Sequence, residues 1–346
     1  MARLHLPVPP AHPAAGPGEL RGDAGRRPGG GGRVSALVQR RTVAVDAGDG
    51  ALLHATVEGS DTAPVTLVLA HGWTLSQAAW DDVAAELAAE VAAGGLRLVR
   101  YDQRGHGRST WGTTEPVSID LLGEDLRQVL DRCAPTGPVV LGGHSMGGMT
   151  IMCLAAGHAS LFGDRVRGVA LVDTSAGDLR RTPRTRSQRL QQRLEPGVLS
   201  FALARAGLVE RLRRLSPPSS RTHQRLVRGL LYGADASDEV VRRGAEIMHA
   251  SSVRAFAVFH PALGEHEKRD GLAALTRVPV EVLVGEEDRL TPVRHSRQLA
   301  EVLPHAVLHV EPRCSHMLPQ ERPALVAASL RRLLAAAVDG DLAATG

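Results

Sequence analysis

One stretch constrains the fold of this chain more than any other. An apolar run over residues 139–142 leads into Gly143-x-Ser145-x-Gly147, and a helical run follows. A serine hydroxyl is a weak nucleophile, so it has to stand exposed where a base can take its proton. A sharp turn between a strand and a helix exposes it in this way, and the two glycines let strand and helix pass closely. The stretch therefore predicts a nucleophile elbow.

The glycine–serine–glycine spacing is weak evidence when taken alone, because the chain contains 37 glycines and short motifs arise by chance. Ser145 could instead serve only as the N-cap of the following helix. The elements on either side of the turn have to separate these two interpretations.

Strand-like and helix-like segments alternate on both sides of this turn. The predicted strands cover residues 41–45, 53–57, 65–70, 96–101, 139–144, 166–172, 280–285 and 306–310. The predicted helices cover residues 80–91, 118–133, 146–162, 292–303 and 319–338. Such alternation predicts an α/β fold with a mostly parallel central sheet flanked by helices. Asp49-Gly50 between the first two strands indicates a hairpin.

The alternation is interrupted once, over residues 175–275, where helix-like segments rich in arginine occur without a convincing strand. We predict that this segment is a helical cap inserted into a core formed by residues 34–174 and 276–338. Apolar cap positions such as Phe201 and Phe256 are then expected to set substrate choice.

Both ends of the chain are predicted to lie outside the core. Residues 1–33 are rich in Pro, Gly and Arg, and such a segment cannot bury enough apolar surface to order itself. We therefore predict a disordered N-terminal tail there and a short C-terminal tail over residues 339–346.

Composition excludes several classes of function. The net charge is only +4, and no basic stripe with interleaved aromatic residues suggests nucleic-acid binding. No apolar run approaches the length of a membrane span, and the N-terminus lacks the apolar centre of a signal peptide. Three scattered cysteines and the absence of a CxxC pair favour neither a disulfide framework nor a zinc site. We expect a cytoplasmic protein with no metal, cofactor or nucleic-acid partner.

Several motifs together resemble the α/β-hydrolase fold family, in its single-domain esterase, lipase and cofactor-free peroxidase branch. The motifs are His71-Gly72-Trp73, the turn over residues 102–109, the elbow over residues 143–147, the segment Gly285-Glu286-Glu287-Asp288-Arg289-Leu290-Thr291-Pro292, and His316 before the last helix. The resemblance covers about residues 35–338.

The resemblance implies a role for each of five residues. The family order of nucleophile, acid and base is matched by Ser145, Asp288 and His316. His316 would take the proton from Ser145, and Asp288 would hold the imidazole in the required tautomer. The backbone N–H groups of Met146 and Trp73 would form the oxyanion hole. All three side chains also follow predicted strand ends, where ligands bind in parallel sheets.

Asp173 competes with Asp288 for the role of the acid. It too follows a buried strand, and some members of the family place their acid there. Asp288 is preferred because it lies within the motif that the family uses. Asp173 instead enters the insertion, where it would either serve the junction with the cap or hydrogen-bond local backbone.

Several functions fit this set of residues. The first is a serine hydrolase that cleaves small-molecule carboxylic esters, acyl lipids among them, through an acyl-enzyme. The second is a cofactor-free peroxidase or perhydrolase in which hydrogen peroxide replaces water. Two further hypotheses are a weakly catalytic binding protein and a carbon–carbon bond hydrolase. Serine at position 145, where haloalkane dehalogenases and epoxide hydrolases carry aspartate, argues against both of those chemistries.

Overall fold

The computed structural model of the chain describes residues 39–179, 197, 204–213 and 217–345. The predicted tail over residues 1–33 and the predicted cap position Phe201 lie outside the described residues.

Eight strands form the central sheet. They are β1 (Arg40–Asp46), β2 (Leu52–Glu58), β3 (Thr66–Ala70), β4 (Arg97–Tyr101), β5 (Val139–His144), β6 (Val166–Val172), β7 (Val280–Gly285) and β8 (Val307–Glu311). Their order in the sheet is β1-β2-β4-β3-β5-β6-β7-β8. The β1–β2 and β2–β4 pairs are antiparallel, and all other neighbours are parallel. The mostly parallel sheet predicted from the sequence is therefore confirmed.

Helices cover both faces of the sheet. In the described residues they are α1 (Asp81–Glu86), α2 (Ala88–Ala92), α3 (Ile119–Cys133), α4 (Met146–Gly157), α5 (Ala206–Arg213), α6 (Arg221–Leu231), α7 (Asp238–Ala250), α8 (Val253–Glu265), α9 (Val293–Val302), α10 (Leu318–Glu321) and α11 (Pro323–Thr345). Short 3₁₀ helices cover Gln77–Trp80, Ala159–Leu161 and Arg269–Arg277.

The continuous apolar runs of the strands reflect burial on two faces. Successive side chains of a strand point to opposite faces. Val68 accordingly packs in one hydrophobic cluster, with residues of α3 and α4, whereas Leu67 and Leu69 pack in the other, with residues of α1 and α11. A strand between two helical layers needs apolar side chains on both faces, and residues 67–70 of β3 supply them.

Three predicted helices have different bounds in the structure. The predicted helix over residues 80–91 breaks at Leu87, and the one after the elbow ends at Gly157. The last predicted helix breaks at Arg322, because the residue before Pro323 disfavours helical backbone. The final helix then runs to Thr345, through residues assigned to the predicted C-terminal tail.

The segment between β6 and β7 contains α5 to α8 and no strand among its described residues. Three of these helices begin at a serine N-cap, and the hydroxyls of Ser220, Ser237 and Ser252 each accept a backbone N–H from the first turn. Apolar side chains of α6 and α7 pack with Leu75 and Met317, in the loops before α1 and α10. Helices α6 and α7 therefore rest on loops at the carboxyl ends of the strands. None of the helices in the described part of the chain combines the length and hydropathy needed to span a bilayer.

Candidate active site

Ser145 occupies the turn between β5 and α4 in a left-handed backbone conformation, with φ 52° and ψ −117°. A non-glycine residue in this region is uncommon and costs free energy. Neighbouring groups hold it there. Its N–H donates to the carbonyl of Val172 at 2.9 Å, and its carbonyl accepts the hydroxyl of Thr174 at 2.7 Å.

The two glycines of the elbow are required by close backbone approaches. A Cβ on Gly143 would lie 2.5 Å from the carbonyl oxygen of Gly147, and a Cβ on Gly147 would lie 2.1 Å from that of Ala70. The side chain of Ser145 makes no capping hydrogen bond with α4. The interpretation of Ser145 as a simple helix cap therefore lacks its defining contact.

The structure brings the three predicted side chains together across 171 residues of sequence. Nε2 of His316 lies 3.0 Å from Oγ of Ser145, and Nδ1 of His316 lies 2.8 Å from Oδ2 of Asp288. The carboxylate can only accept, so Nδ1–H donates to it and Nε2 is left to accept the serine proton. This geometry fits a nucleophile, a base and an orienting acid, whose catalytic roles stay predictions.

Asp288 is held by its own turn. Its Oδ1 accepts the N–H groups of Leu290 at 2.8 Å and Thr291 at 2.9 Å, and its Oδ2 accepts the hydroxyl of Thr291 at 2.8 Å. With the imidazole of His316, four donors surround one buried carboxylate. Such hydrogen bonds favour the ionised form.

The charges of the pair stabilise one another. Burial raises the pKa of Asp288, but the imidazole of His316 and the donors from Thr291 outweigh it, so the pKa lies below its usual range. Burial lowers the pKa of His316, yet the charge and hydrogen bond of Asp288 outweigh it, and the pKa lies above its ordinary value. A histidine stabilised in its charged form suits a base that takes a proton from serine.

Asp173 lies close to this pair but bonds to backbone instead. Its Oδ1 accepts the N–H of Gly285, and its Oδ2 accepts the N–H of Leu318, each at 3.0 Å. Burial, reinforced by the charge of Asp288, raises the pKa of Asp173 well above its usual range. The carboxyl thus fastens the start of the Asp288 turn to the segment that follows His316.

The loop that contains Trp73 lies against the elbow. A Cβ on Gly72 would lie 3.0 Å from the ring of His144, and the carbonyl of His71 lies beside Gly147. The N–H groups of Trp73 and Met146 donate no hydrogen bond to any other residue that the structure describes. One of these donors follows Ser145 in the chain and the other lies in the loop against the elbow, and the predicted oxyanion hole needs two such unengaged donors.

Residues of the turn after β4, for which no chemical role is predicted, hold this loop in place. The N–H of Gln103 donates to Nε2 of His71 at 2.9 Å, and the N–H of Thr74 donates to Nε2 of His106 at 3.2 Å. Burial lowers the pKa of His71 and that of His106, the latter to about 3. Both rings are therefore neutral acceptors at neutral pH, and they fix the loop by backbone contacts.

Helix α8 contacts the same loop. The indole N–H of Trp73 donates to the carbonyl of Ala255 at 3.2 Å, and the Trp73 ring stacks on Phe256 with 4.7 Å between centroids. The ring of His260 lies 5.6 Å from that of Trp73. Helix α8 thus forms a wall beside the two backbone donors.

Sequence reasoning missed two threonines of the site. Thr291 lies just before the predicted helix over residues 292–303, and its hydroxyl donates to Asp288. Thr174 follows Asp173, and its hydroxyl donates to the carbonyl of Ser145. Their only sequence signal is proximity to a predicted catalytic or strand-end residue. Within the described residues, no group of three or more His, Cys, Asp and Glu side chains is placed to hold a metal ion.

Comparisons with known proteins bear on the family and the fold of this chain. The family model described as "Alpha/beta hydrolase family" matches residues 67–329, which is more than half of the chain. A pimeloyl-[acyl-carrier protein] methyl ester esterase of Chromobacterium violaceum is 28% identical over 254 residues, covering 72% of this chain and 86% of that protein.

Two further matches differ in what they cover. A Mycobacterium tuberculosis protein described as a probable oxidoreductase is 26% identical over 307 residues, covering 84% of this chain but only 49% of that protein. This chain therefore spans about half the length of that relative. The solved structure of a thermophilic esterase from Thermogutta terrifontis superposes with a TM-score of 0.63 at 23% identity, covering 86% of this chain and 99% of that one. At that identity the likeness supports the fold alone.

Proposed function

Because this chain belongs to the alpha/beta hydrolase family, we propose that it is a serine hydrolase that cleaves small-molecule carboxylic esters through an acyl-enzyme. The observation that carries the proposal is the hydrogen-bond chain from Asp288 through His316 to Ser145, with contacts of 2.8 and 3.0 Å. It ends at a hydroxyl presented by a strained turn, which is where a nucleophile is needed.

In the first half of the reaction, Nε2 of His316 takes the proton of Ser145 as Oγ attacks the ester carbonyl carbon. The carbonyl oxygen gains negative charge and accepts the N–H groups of Trp73 and Met146. The tetrahedral intermediate then collapses, the bond to the alcohol oxygen breaks, and His316 returns its proton to that oxygen.

In the second half, water enters beside His316 and attacks the acyl-enzyme as the imidazole takes its proton. The second tetrahedral intermediate expels Ser145, which recovers its proton from His316, and the carboxylic acid leaves. Asp288 stays ionised throughout and stabilises the imidazolium that forms in each half.

Labelling with a fluorophosphonate probe tests the nucleophile without knowledge of the substrate. We expect wild-type protein to be labelled and Ser145→Ala to resist labelling. Ser296→Ala is the matched control, because this buried hydroxyl makes no hydrogen bond to described residues and should be dispensable. Undiminished labelling of a folded Ser145→Ala variant would sink the assignment.

Turnover of chromogenic esters separates the proposed activity from its alternatives. A carboxylesterase releases the alcohol in water alone. A perhydrolase forms peracid when hydrogen peroxide is added, at the expense of acid. A protein that is labelled at Ser145 but turns over no ester of any chain length would instead fit a weakly catalytic binding protein.

The cap is proposed to set the acyl preference through the wall formed by Phe256. This side chain is 45% exposed beside Trp73, and Phe256→Ala should open space there and raise the relative rate for longer acyl chains. A change of about tenfold is the scale expected for a few methylenes in an apolar pocket. Leu226→Ala on α6, which removes a side chain that is 69% exposed, should leave the chain-length profile unchanged.

A further inference from the structure

The loop that contains His316 is bonded to the cap as well as to the core. The backbone N–H of His316 donates to the carbonyl of Leu231 at 3.0 Å. Leu231 is the last residue of α6, so the end of a cap helix fixes the peptide that precedes the imidazole. We refer to residues 231–233 as the cap strap.

Glu321 joins the same two segments. Its Oε1 accepts the N–H of Ser315 at 2.9 Å, and its Oε2 accepts the N–H of Gly233 at 2.8 Å. The side chain is only 8% exposed. A buried carboxylate without hydrogen bonds is costly, and here one oxygen is given to the loop of His316 and the other to the cap strap.

The cap strap and the loop also fit against one another closely. A Cβ on Gly233 would lie 2.3 Å from the carbonyl oxygen of Arg313 and 2.6 Å from Cα of Cys314. The hydroxyl of Tyr232 donates to Oε1 of Gln320. The position of the loop therefore depends on the position of the strap.

Glu321 also acts on His316 through charge. Three carboxyl groups raise the pKa of His316, and in decreasing order they belong to Asp288, Asp173 and Glu321. Burial raises the pKa of Glu321 itself, whereas the N–H groups of Gly233 and Ser315, and the charge of Arg322, oppose that change. Removing this carboxylate should make His316 easier to deprotonate.

We propose that Glu321 is a positioning residue that couples the cap strap to His316. It holds the base in line with Ser145 through its bond to Gly233, so the position of the cap strap and the alignment of the base are linked. This inference rests on the proposed function, because it assigns a task to the proposed base.

The test uses two variants that break the junction from opposite sides. Glu321→Gln keeps the shape but leaves one of the two backbone N–H groups facing an amide NH₂. Gly233→Ala keeps the charge but forces the strap away from the loop. Glu281→Gln is the control for Glu321→Gln, because Glu281 is also buried, at 4% exposed, but binds Arg332 and His309 instead. Gly229→Ala is the control for Gly233→Ala, because a Cβ on Gly229 would meet nothing within 4 Å.

Ester turnover and the rate of fluorophosphonate labelling are measured against pH for all five proteins. We expect kcat to fall about tenfold or more in Glu321→Gln and Gly233→Ala, within the ~10²-fold that a displacement of 1 Å can cost, with KM little changed. The acid limb of the pH profile should move to lower pH in Glu321→Gln and move less in Gly233→Ala. Both control variants should keep the wild-type kcat and the wild-type position of the acid limb.

The outcomes are distinct. A wild-type protein that is neither labelled nor active contradicts the proposed function. An active wild type whose Glu321→Gln and Gly233→Ala variants retain its rate and pH profile overturns the coupling alone. An equal loss of rate in Glu281→Gln would reduce the effect to general destabilisation and would also overturn it.

Discussion

Two turns of this molecule look alike from the sequence and act differently in the structure. One follows β6 and contains Asp173; the other follows β7 and contains Asp288. Both aspartates lie at the carboxyl ends of adjacent parallel strands, and they are 0% and 4% exposed. Both oxygens of Asp173 bind backbone N–H groups, whereas one oxygen of Asp288 binds the imidazole of His316.

The difference lies in the donors that each turn supplies. The Asp288 turn satisfies Oδ1 with its own backbone and adds the hydroxyl of Thr291, so Oδ2 can serve a partner outside the turn. Asp173 receives no donor from the described residues of its own turn, and its oxygens accept the N–H groups of Gly285 and Leu318. Residue type and position at a strand end are the same for the two aspartates. The hydrogen-bond donors around each carboxylate therefore decide which groups it binds.

The largest effect is expected from Asp288→Asn. An amide at this position favours the wrong tautomer of His316, a change that lowers turnover on the order of 10⁴-fold in the chymotrypsin-type triad. The measurement is kcat on one short-chain ester, with circular dichroism to verify folding. A folded Asp288→Asn variant that remains active, beside an inactive Asp173→Asn variant, would transfer the role to Asp173.

Thr291→Val should have the next largest effect. It removes the hydroxyl that donates to Oδ2 of Asp288 but keeps the backbone N–H that donates to Oδ1. Losing one hydrogen bond to a charged group costs about 1.5–3 kcal/mol, so we expect kcat/KM to fall by about tenfold or more. Thr276→Val is the control, since that hydroxyl donates to the backbone carbonyl of Ala273 and not to Asp288. Equal losses of kcat/KM in both variants would contradict the role of Thr291.

Asp173→Asn should change turnover only a few-fold, far less than Asp288→Asn. The variant places an amide NH₂ against one of two backbone N–H groups, so its main cost is stability, of about 1–3 kcal/mol. Kinetics on the same ester, together with urea unfolding, measure both quantities. Loss of turnover comparable to that of Asp288→Asn, with the fold intact, would erase the distinction between the two turns.

The smallest effect is a pH dependence of stability that belongs to Asp173. Its pKa is raised in the folded state, so above its unfolded value of 3.8 the folded state binds more protons than the unfolded state. The free energy of unfolding then decreases as pH rises from about 4 towards the folded pKa. The Asp173→Asn variant lacks this carboxyl group. The difference in free energy of unfolding between wild type and the variant should therefore become smaller as pH rises. If this difference in free energy of unfolding instead becomes larger as pH rises above about 4, Asp173 is stabilised as a carboxylate.

Much of the fold and the spatial gathering of the site could be predicted from the sequence. Strands buried on both faces leave continuous apolar runs, and the order of strands and helices then places Ser145, Asp288 and His316 at one edge of the sheet. The elbow could be predicted from its glycines, because the close backbone approaches at Gly143 and Gly147 leave no room for a Cβ and so require glycine.

The rest depends on contacts between segments far apart in the chain. Asp173 and Asp288 bind different groups because different backbone N–H groups face each carboxyl. The contact of Glu321 with Gly233 joins residues 88 positions apart, and neither residue belongs to a recognisable motif. Periodicity and composition report burial, but they do not report which polar group lies opposite another.

The left-handed backbone at Ser145 has a consequence for attempts to make this protein more robust. A conformation of this kind costs about 1–3 kcal/mol in a residue with a side chain, and glycine adopts it without that cost. Random mutagenesis followed by selection for heat resistance alone would therefore tend to favour glycine at position 145, at the expense of the hydroxyl. A directed-evolution campaign on this chain should select for survival and turnover together, because at this one residue the two demands oppose each other.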